Sequence, residues 1–350
     1  MSPPDRPSLT AQPVSSGSFH VAGPQEYLVR AFGRPSSLAD VAGRRAAMLE
    51  RIRAYFAERD VLAVDTPALS AFATSDPNID NVTAQLAAGS AFLHTSPESG
   101  MKCLLAAGYP DIYSICRVFR DGEQGRQHLP EFTLLEWYRL NFGLPEMIAD
   151  TTALIARCLE RPELGTNIDV LDYPSAFRDL ADIDVFEATV DDLAAAASAD
   201  SSLRSAIGAD RNAWLDLVLT MIVAPVFAAD RLTVLQHYPR SQAALARTCP
   251  GDSRVADRFE VFLGTLELAN GYVELIDAEE QRERFAQDSA ARRIAGKPAT
   301  SADELLLAAL GSGLPDCAGV AVGIERLHML YDQTDNIDDV VTFSSRIADE

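Results

Sequence analysis

The sequence predicts an α+β fold built on an antiparallel sheet, and three observations carry that prediction. Strand-type runs come in groups (111–120 with 131–141, 232–237 with 259–276) and do not alternate singly with helices, as a parallel sheet would require. The first pair is joined by residues 121–130, a polar stretch with Gly122 and Gly125, which is the composition of an exposed loop between antiparallel neighbours. Helical periodicity is confined to the segments around these groups, so helices should flank the sheet.

Residues 1–37 are rich in Pro, Ser and Gly without periodicity and read as a flexible tail, leaving one domain over 38–350. Leu38, Val41, Met48, Leu49, Ile52, Tyr55 and Phe56 then recur at helical spacing, with Arg44, Arg45, Arg51 and Arg53 between them. This predicts an amphipathic helix to about residue 59, followed by a β-type run over 61–65 that Pro67 stops. A polar loop around 74–84 leads to a strand run at 92–95. Ser96-Pro97-Glu98 has the chemistry of a helix start: a hydroxyl cap, a proline in the first turn and an acid at the positive end of the dipole. That helix runs through Met101, Leu104 and Leu105 to Gly108. The middle, 145–230, reads as mostly helical. Helices near 278–295 and 302–310 precede a small-residue strand at 319–323 that runs into a helix over 324–330.

With 350 residues and 47% hydrophobic side chains, the chain can bury a large core. No run approaches the roughly 18 apolar residues of a membrane span, and the first residues lack the pattern of a secretory signal. Five scattered cysteines without a CxxC argue against a disulfide framework or a zinc site, and make a reducing cytoplasm the expected compartment. Thirty basic against 51 acidic residues leave a net charge of −21, which disfavours broad contact with nucleic acid or anionic lipid. Only two basic residues are lysine, Lys102 and Lys297, and Pro298 after Lys297 excludes a Walker A loop. GxSxG, HExxH and GxGxxG are also absent from the sequence.

Three segments hold more charge than strand packing explains. In the first, Arg117 and Arg120 flank Val118-Phe119 at a strand end, with Arg126 and His128 in the loop beyond. A guanidinium there suits a phosphate or a carboxylate, and a solvated hairpin is the alternative reading. In the second, Glu267 and Glu274 are acids within the largely apolar run 259–276. Carboxylates so placed need a cation: a metal, an arginine or a ligand ammonium, with a structural salt bridge as the alternative. In the third, Gly319, Ala321 and Gly323 allow a ligand close to the backbone and place Arg326 at a helix start, a position that favours a nearby anion.

In this order the segments resemble the catalytic domain of a class II aminoacyl-tRNA synthetase of the lysyl type. The first helix, its strand and Pro67 resemble motif 1; Phe119-Arg120 through Glu131-Phe132 and on to Tyr138 resembles motif 2; residues 319–326 resemble motif 3. Thr95-Ser96-Pro97-Glu98, Glu267-Leu268-Ala269-Asn270-Gly271 and the alanine at Ala321 are most similar to the truncated elongation factor P–(R)-β-lysine ligase family. The resemblance covers about 38–346 and leaves no room for an anticodon-binding barrel, so charging of tRNA is disfavoured. It implies an ATP-dependent ligase that activates a lysine-like amino acid as an adenylate and passes it to an acceptor amine on elongation factor P, working as a homodimer. In the implied site Arg120 and Arg326 are catalytic; His128, Phe132, Glu267, Leu268 and Gly323 join them in binding ATP. Ser96, Glu98, Glu136, Tyr138, Asn270, Glu274 and Ala321 line the amino-acid pocket, and Glu267 with Glu274 is the expected Mg2+ pair.

Two departures fall in motif 2. Gly122 stands where the family carries an acid, with Glu123 next to it as a replacement, and Leu129 stands where the family carries asparagine. Ser99 and Gly100 also replace bulkier residues beside the amino-acid pocket. These keep two other readings open: a stand-alone amino-acid ligase of small-molecule biosynthesis, and a catalytically silent paralogue that binds an amino acid or a partner.

Overall fold

The computed structural model describes residues 38–345; the expected tail over 1–37 lies outside the described residues. Helix α1 (Ala39–Ala57) buries Met48, Ile52, Tyr55 and Phe56, one stripe at helical spacing, and starts with Asp40 in its first turn. Strand β1 (Leu62–Ala63) follows, and then a small sheet of β2 (Leu69–Ser70), β3 (Thr83–Leu86) and β4 (Gly89–Leu93) in the order β2-β4-β3. Helix α2 (Glu98–Ala106) leads to the long hairpin β5 (Ile112–Phe119) and β6 (Glu131–Leu140). Helix α3 (Leu144–Cys158) crosses behind the sheet, and strand β7 (Ile168–Asp172) opens a helical region of α4 (Tyr173–Ala181), α5 (Val190–Ala196), α6 (Ser201–Ile207) and α7 (Arg211–Val218). Strands β8 (Leu232–Pro239), β9 (Val255–Leu263) and β10 (Leu266–Val273) come next. Helices α8 (Ala278–Ile294) and α9 (Glu304–Gly313), strand β11 (Cys317–Gly323) and helix α10 (Ile324–Tyr331) close the described chain.

The main sheet runs β1-β5-β6-β11-β10-β9-β8-β7. Its six central strands are antiparallel, and only the edge pairs β1/β5 and β7/β8 are parallel. The expected α+β class with an antiparallel sheet is therefore borne out. Trp137, fully buried on β6, anchors the core behind the sheet, where Phe56 of α1 stacks on Tyr113 of β5 at 4.3 Å. Each such aromatic contributes roughly 2–3 kcal/mol by burial. A second core gathers Tyr173, Phe177 and Trp214 of the helical region against Leu235 and Phe262. A third packs Met101 and Leu105 of α2 against Tyr138, Leu306 and Leu310.

Three local readings change. The run 259–276 is two strands, β9 and β10, reversed at Gly264 with φ 57°. Apolar residues on both faces hide that break from a period-two reading, and the glycine is its one signal. The polar loop expected over 74–84 contains the start of β3, an edge strand exposed enough to be polar. Strand β7, on the outer edge of the main sheet, was concealed in the helical middle for the same reason.

Candidate active site

Hydrogen-bond register across four strands assembles one face. Glu136 on β6 lies opposite Ala321 on β11, which lies opposite Asn270 on β10, which lies opposite Glu260 on β9. Two residues along, Tyr138, Gly319, Tyr272 and Arg258 form the next row, on the same face because side chains alternate with period two. Segments as far apart in the chain as Glu136 and Ala321 thus meet in two rows.

At one end of this face is a cluster of acids. Ser96 accepts a hydrogen bond from the Glu98 backbone N–H at 3.0 Å and donates to Glu136 Oε2 at 2.7 Å, so the residue that starts α2 also orients an acid of β6. Tyr138 donates to the other Glu136 oxygen at 2.7 Å, and Tyr272 donates to Glu98 Oε1 at 2.8 Å. Glu274, fully buried, pairs with the Lys102 ammonium, which also donates to Glu98 Oε1 at 2.6 Å. Burial, and then the Glu98 charge, push the Glu136 carboxyl up to about 7. Burial raises Glu274 as well, against the pull of Lys102. Glycine at 319 is what lets the Glu274 carboxylate and the Tyr138 ring lie against β11: a Cβ there would stand 2.5 Å from Glu274 Oε1 and 2.5 Å from the Tyr138 ring. Glu274 Oε1 is buried without a hydrogen-bond partner among the described residues, the state of an acceptor awaiting a donor.

At the other end, the loop between β5 and β6 folds back over the sheet. Arg120 lies 5.2 Å from the Phe132 ring, and its Nη1 lies 3.6 Å from Glu123 Oε1. Arg326, in the first turn of α10, donates to the Glu267 carbonyl at 3.0 Å and sits 2.6 Å from His128 Nε2. Desolvation, and then the Arg326 charge, hold His128 below its usual range, so the ring is a neutral acceptor. Arg326, Glu123, Glu267 and Arg120 all act on the charge of His128. The two ends meet at consecutive residues: Arg120 Nε reaches the Thr95 carbonyl at 3.4 Å, and the next residue, Ser96, holds Glu136.

Other expected residues have plainer positions. Gly323 caps α10 three residues before Arg326, and Leu268 turns its side chain into the main core. Leu129 is buried with Met329, Ile337, Val340 and Val341, a small core that fastens the loop to the segment after α10. Gly122 has φ 76°, a left-handed turn that carries Glu123 toward Arg120.

The expected metal pair is corrected by the geometry. Glu267 and Glu274 are seven residues apart along one strand and its extension, about 23 Å at roughly 3.3 Å per residue, and Glu274 is held by Lys102. Glu260 instead shares a charge field with Glu267: burial first and the Glu267 charge second push Glu260 up to about 7. Tyr238 and Arg258 orient Glu260 at 2.6 Å each. Two hard oxygen donors that repel each other fit a Mg2+ ion. The residue pattern gave one clue to Glu260, an acid in an apolar strand beside Arg258, but register across β9 and β10 was needed to pair it.

A family profile described as tRNA synthetases class II (D, K and N) matches residues 26–346 of the chain. An elongation factor P–(R)-β-lysine ligase of Klebsiella pneumoniae (strain 342) is 41% identical over 308 residues, covering 86% of this chain and 94% of that protein. One of Salmonella dublin is 39% identical over 318 residues, covering 89% of this chain and 97% of that protein.

Proposed function

Because the chain belongs to the class II tRNA synthetase family of the D, K and N type, with elongation factor P–(R)-β-lysine ligases as relatives over most of its length, we propose that it is an ATP-dependent ligase. It activates (R)-β-lysine or lysine as an aminoacyl-adenylate and transfers the aminoacyl group to a lysine amine of elongation factor P. The observation that carries this reading is the junction at Thr95–Ser96. Through it an acid pocket suited to two ammonium groups lies beside two guanidinium groups suited to a triphosphate.

In this mechanism Glu136, Glu98 and Glu274 hold the substrate's ammonium groups, and Gly319 lets the Tyr138 ring and the Glu274 carboxylate pack against β11 beside them. The substrate carboxylate then faces Arg120. Its oxygen attacks the α-phosphorus of ATP, the bond to the β-phosphate oxygen breaks, and pyrophosphate leaves. Arg120 stabilises the charge that builds on the α-phosphate, Phe132 offers a ring face to adenine, and Arg326 with His128 holds the distal phosphates. Glu267 and Glu260 would hold Mg2+, which supplies charge neutralisation on the phosphates. Positioning and electrostatics suffice, because no covalent enzyme intermediate is required.

Gly122 and Leu129 have structural roles in this reading: one turns Glu123 toward Arg120, and the other anchors the loop. A silent paralogue is therefore not favoured. The homodimer formed through motif 1 and a cytoplasmic setting belong to the same proposal; no helix of the described residues is long and apolar enough to cross a membrane. Pyrophosphate exchange with (R)-β-lysine and lysine, followed by mass spectrometry of elongation factor P, tests it. Exchange with either amino acid and the matching mass gain are expected, and exchange with neither overturns the enzymatic reading.

A further inference from the structure

Of the 30 basic side chains, 28 are arginine, and one of the two lysines lies at the bottom of the acid pocket. Lys297 needs little comment: it ties Asp80 and the Pro77 carbonyl near the surface. Lys102 is 1% exposed, one turn from Glu98 on α2, and its ammonium lies between Glu98 and Glu274 with the Tyr272 ring 5.7 Å away. Tyr272 donates to the same Glu98 oxygen that Lys102 holds. An ammonium is a compact point charge that can sit between two carboxylates and a ring, whereas the five-donor fork of arginine needs more space.

The charge count gives the residue a role beyond packing. Among the described residues, the charged or titratable groups facing this point include Glu98 from α2, Glu136 and Tyr138 from β6, Tyr272 and Glu274 from β10 and its extension, and Cys317 from β11. With all three carboxylates ionised, the state that bound ammonium groups favour, these and the one built-in ammonium leave a formal charge of minus two. That charge matches a substrate with two ammonium groups and exceeds what a substrate with one can neutralise.

We infer that Lys102 is a specificity-determining residue, a resident ammonium that fills one of the pocket's three acid seats and so sets the number of substrate ammonium groups the pocket takes at two. The inference rests on the reading of this pocket as the amino-acid site. Burial works against a charged lysine, but Glu274 and Glu98 outweigh it and raise Lys102 above its ordinary value, so the resident ammonium stays charged at neutral pH. Without Lys102, the surplus negative charge is relieved by proton uptake at Glu136 and Glu274, and each proton taken up removes a seat for an ammonium. Lys102 thus positions charge without touching the reacting atoms.

The test is steady-state pyrophosphate exchange across pH for the wild type, Lys102→Met and Lys102→Arg, with (R)-β-lysine, lysine and norleucine. Lys102→Met should raise KM for the diammonium substrates about tenfold at pH 7 and move the acid limb of 1/KM upward by about one pH unit, leaving KM for ATP unchanged. The preference for lysine over norleucine should fall with it. Lys102→Arg should keep the acid limb in place while raising KM, because charge is retained and shape is not. An unmoved limb in Lys102→Met, with or without a weaker KM, leaves the lysine a packing residue and overturns the inference. If Lys102→Met does not fold, Tyr272→Phe removes the other donor to the same Glu98 oxygen and must move the limb in the same direction; an unmoved limb there is equally adverse. A wild type inactive with all three amino acids brings down the pocket reading itself, a result distinct from an active wild type with an indifferent Lys102→Met.

Discussion

Glu325 Oε1 accepts a hydrogen bond from Arg45 Nη2 at 2.9 Å, while its other oxygen accepts from the Thr133 backbone N–H at 2.9 Å. One buried carboxylate therefore joins α1, β6 and α10, the carriers of the three sequence motifs. Breaking a buried pair from one side leaves the partner charge unpaired. Glu325→Gln should cost about 3 kcal/mol in urea unfolding. The exposed Glu58–Arg157 pair serves as control, and Glu58→Gln should leave the midpoint unchanged. A loss at Glu325 no larger than the control's would mean that the motifs are held together by the core alone.

Gly122 offers a second test. At φ 76° a side chain is strained whatever the space around it, and the cost of about 1–2 kcal/mol falls on the turn that brings Glu123 to Arg120. Gly122→Ala should raise KM for ATP about tenfold, with little change in KM for the amino acid or in the melting temperature. Equal rises in both KM values would assign the loop to general closure of the site and not to the nucleotide.

How much of this was legible before folding depends on the range of the signal. The helix over 38–59, the hairpin strands and the start at Ser96-Pro97-Glu98 carry local signals of period and capping, and they appear at nearly those positions. Arg120, Arg326 and Glu136 were found through motif order. Glu260 and Tyr272 were not, because their meaning comes from register: Asn270 lies between Glu260 and Ala321, and Gly319 between Tyr138 and Tyr272. A one-residue slip would send either side chain to the opposite face, and composition does not fix that register. Lys102 was hidden for another reason. At its position on an amphipathic helix, a lysine reads as a surface residue until tertiary structure buries it.

Acid in a dry pocket makes stability depend on pH, and Glu136 sets the sign. Its folded value of about 7 lies above the ordinary 4.5, so folding favours the protonated form. Its contribution is complete below pH 4.5 and is lost as the pH rises through about 7, where the carboxylate must ionise in burial. The ligand-free protein should lose melting temperature between about pH 5 and about pH 8, and Glu136→Gln should flatten that loss. Saturating lysine should restore more stability at the upper pH than at the lower, because its ammonium favours the ionised acid. Parallel curves for wild type and variant would place the pH dependence elsewhere.

The acid pair on β9 and β10 gives the last prediction. Glu260 is raised to about 7 by burial and by Glu267, so a proton and a divalent cation compete for the same carboxylates. The concentration of Mg2+ needed for half-maximal exchange should therefore fall as pH rises through about 7. Glu260→Gln removes the competing proton together with one donor. It should raise the Mg2+ requirement at every pH and abolish its pH dependence, with ATP held saturating. Glu274→Gln is the contrast: it lies with Lys102 at the amino-acid end, so it should raise KM for lysine and leave the Mg2+ requirement unchanged. If Glu274→Gln alters the Mg2+ requirement and Glu260→Gln does not, the ion binds with the first-expected pair, and the register-derived assignment fails.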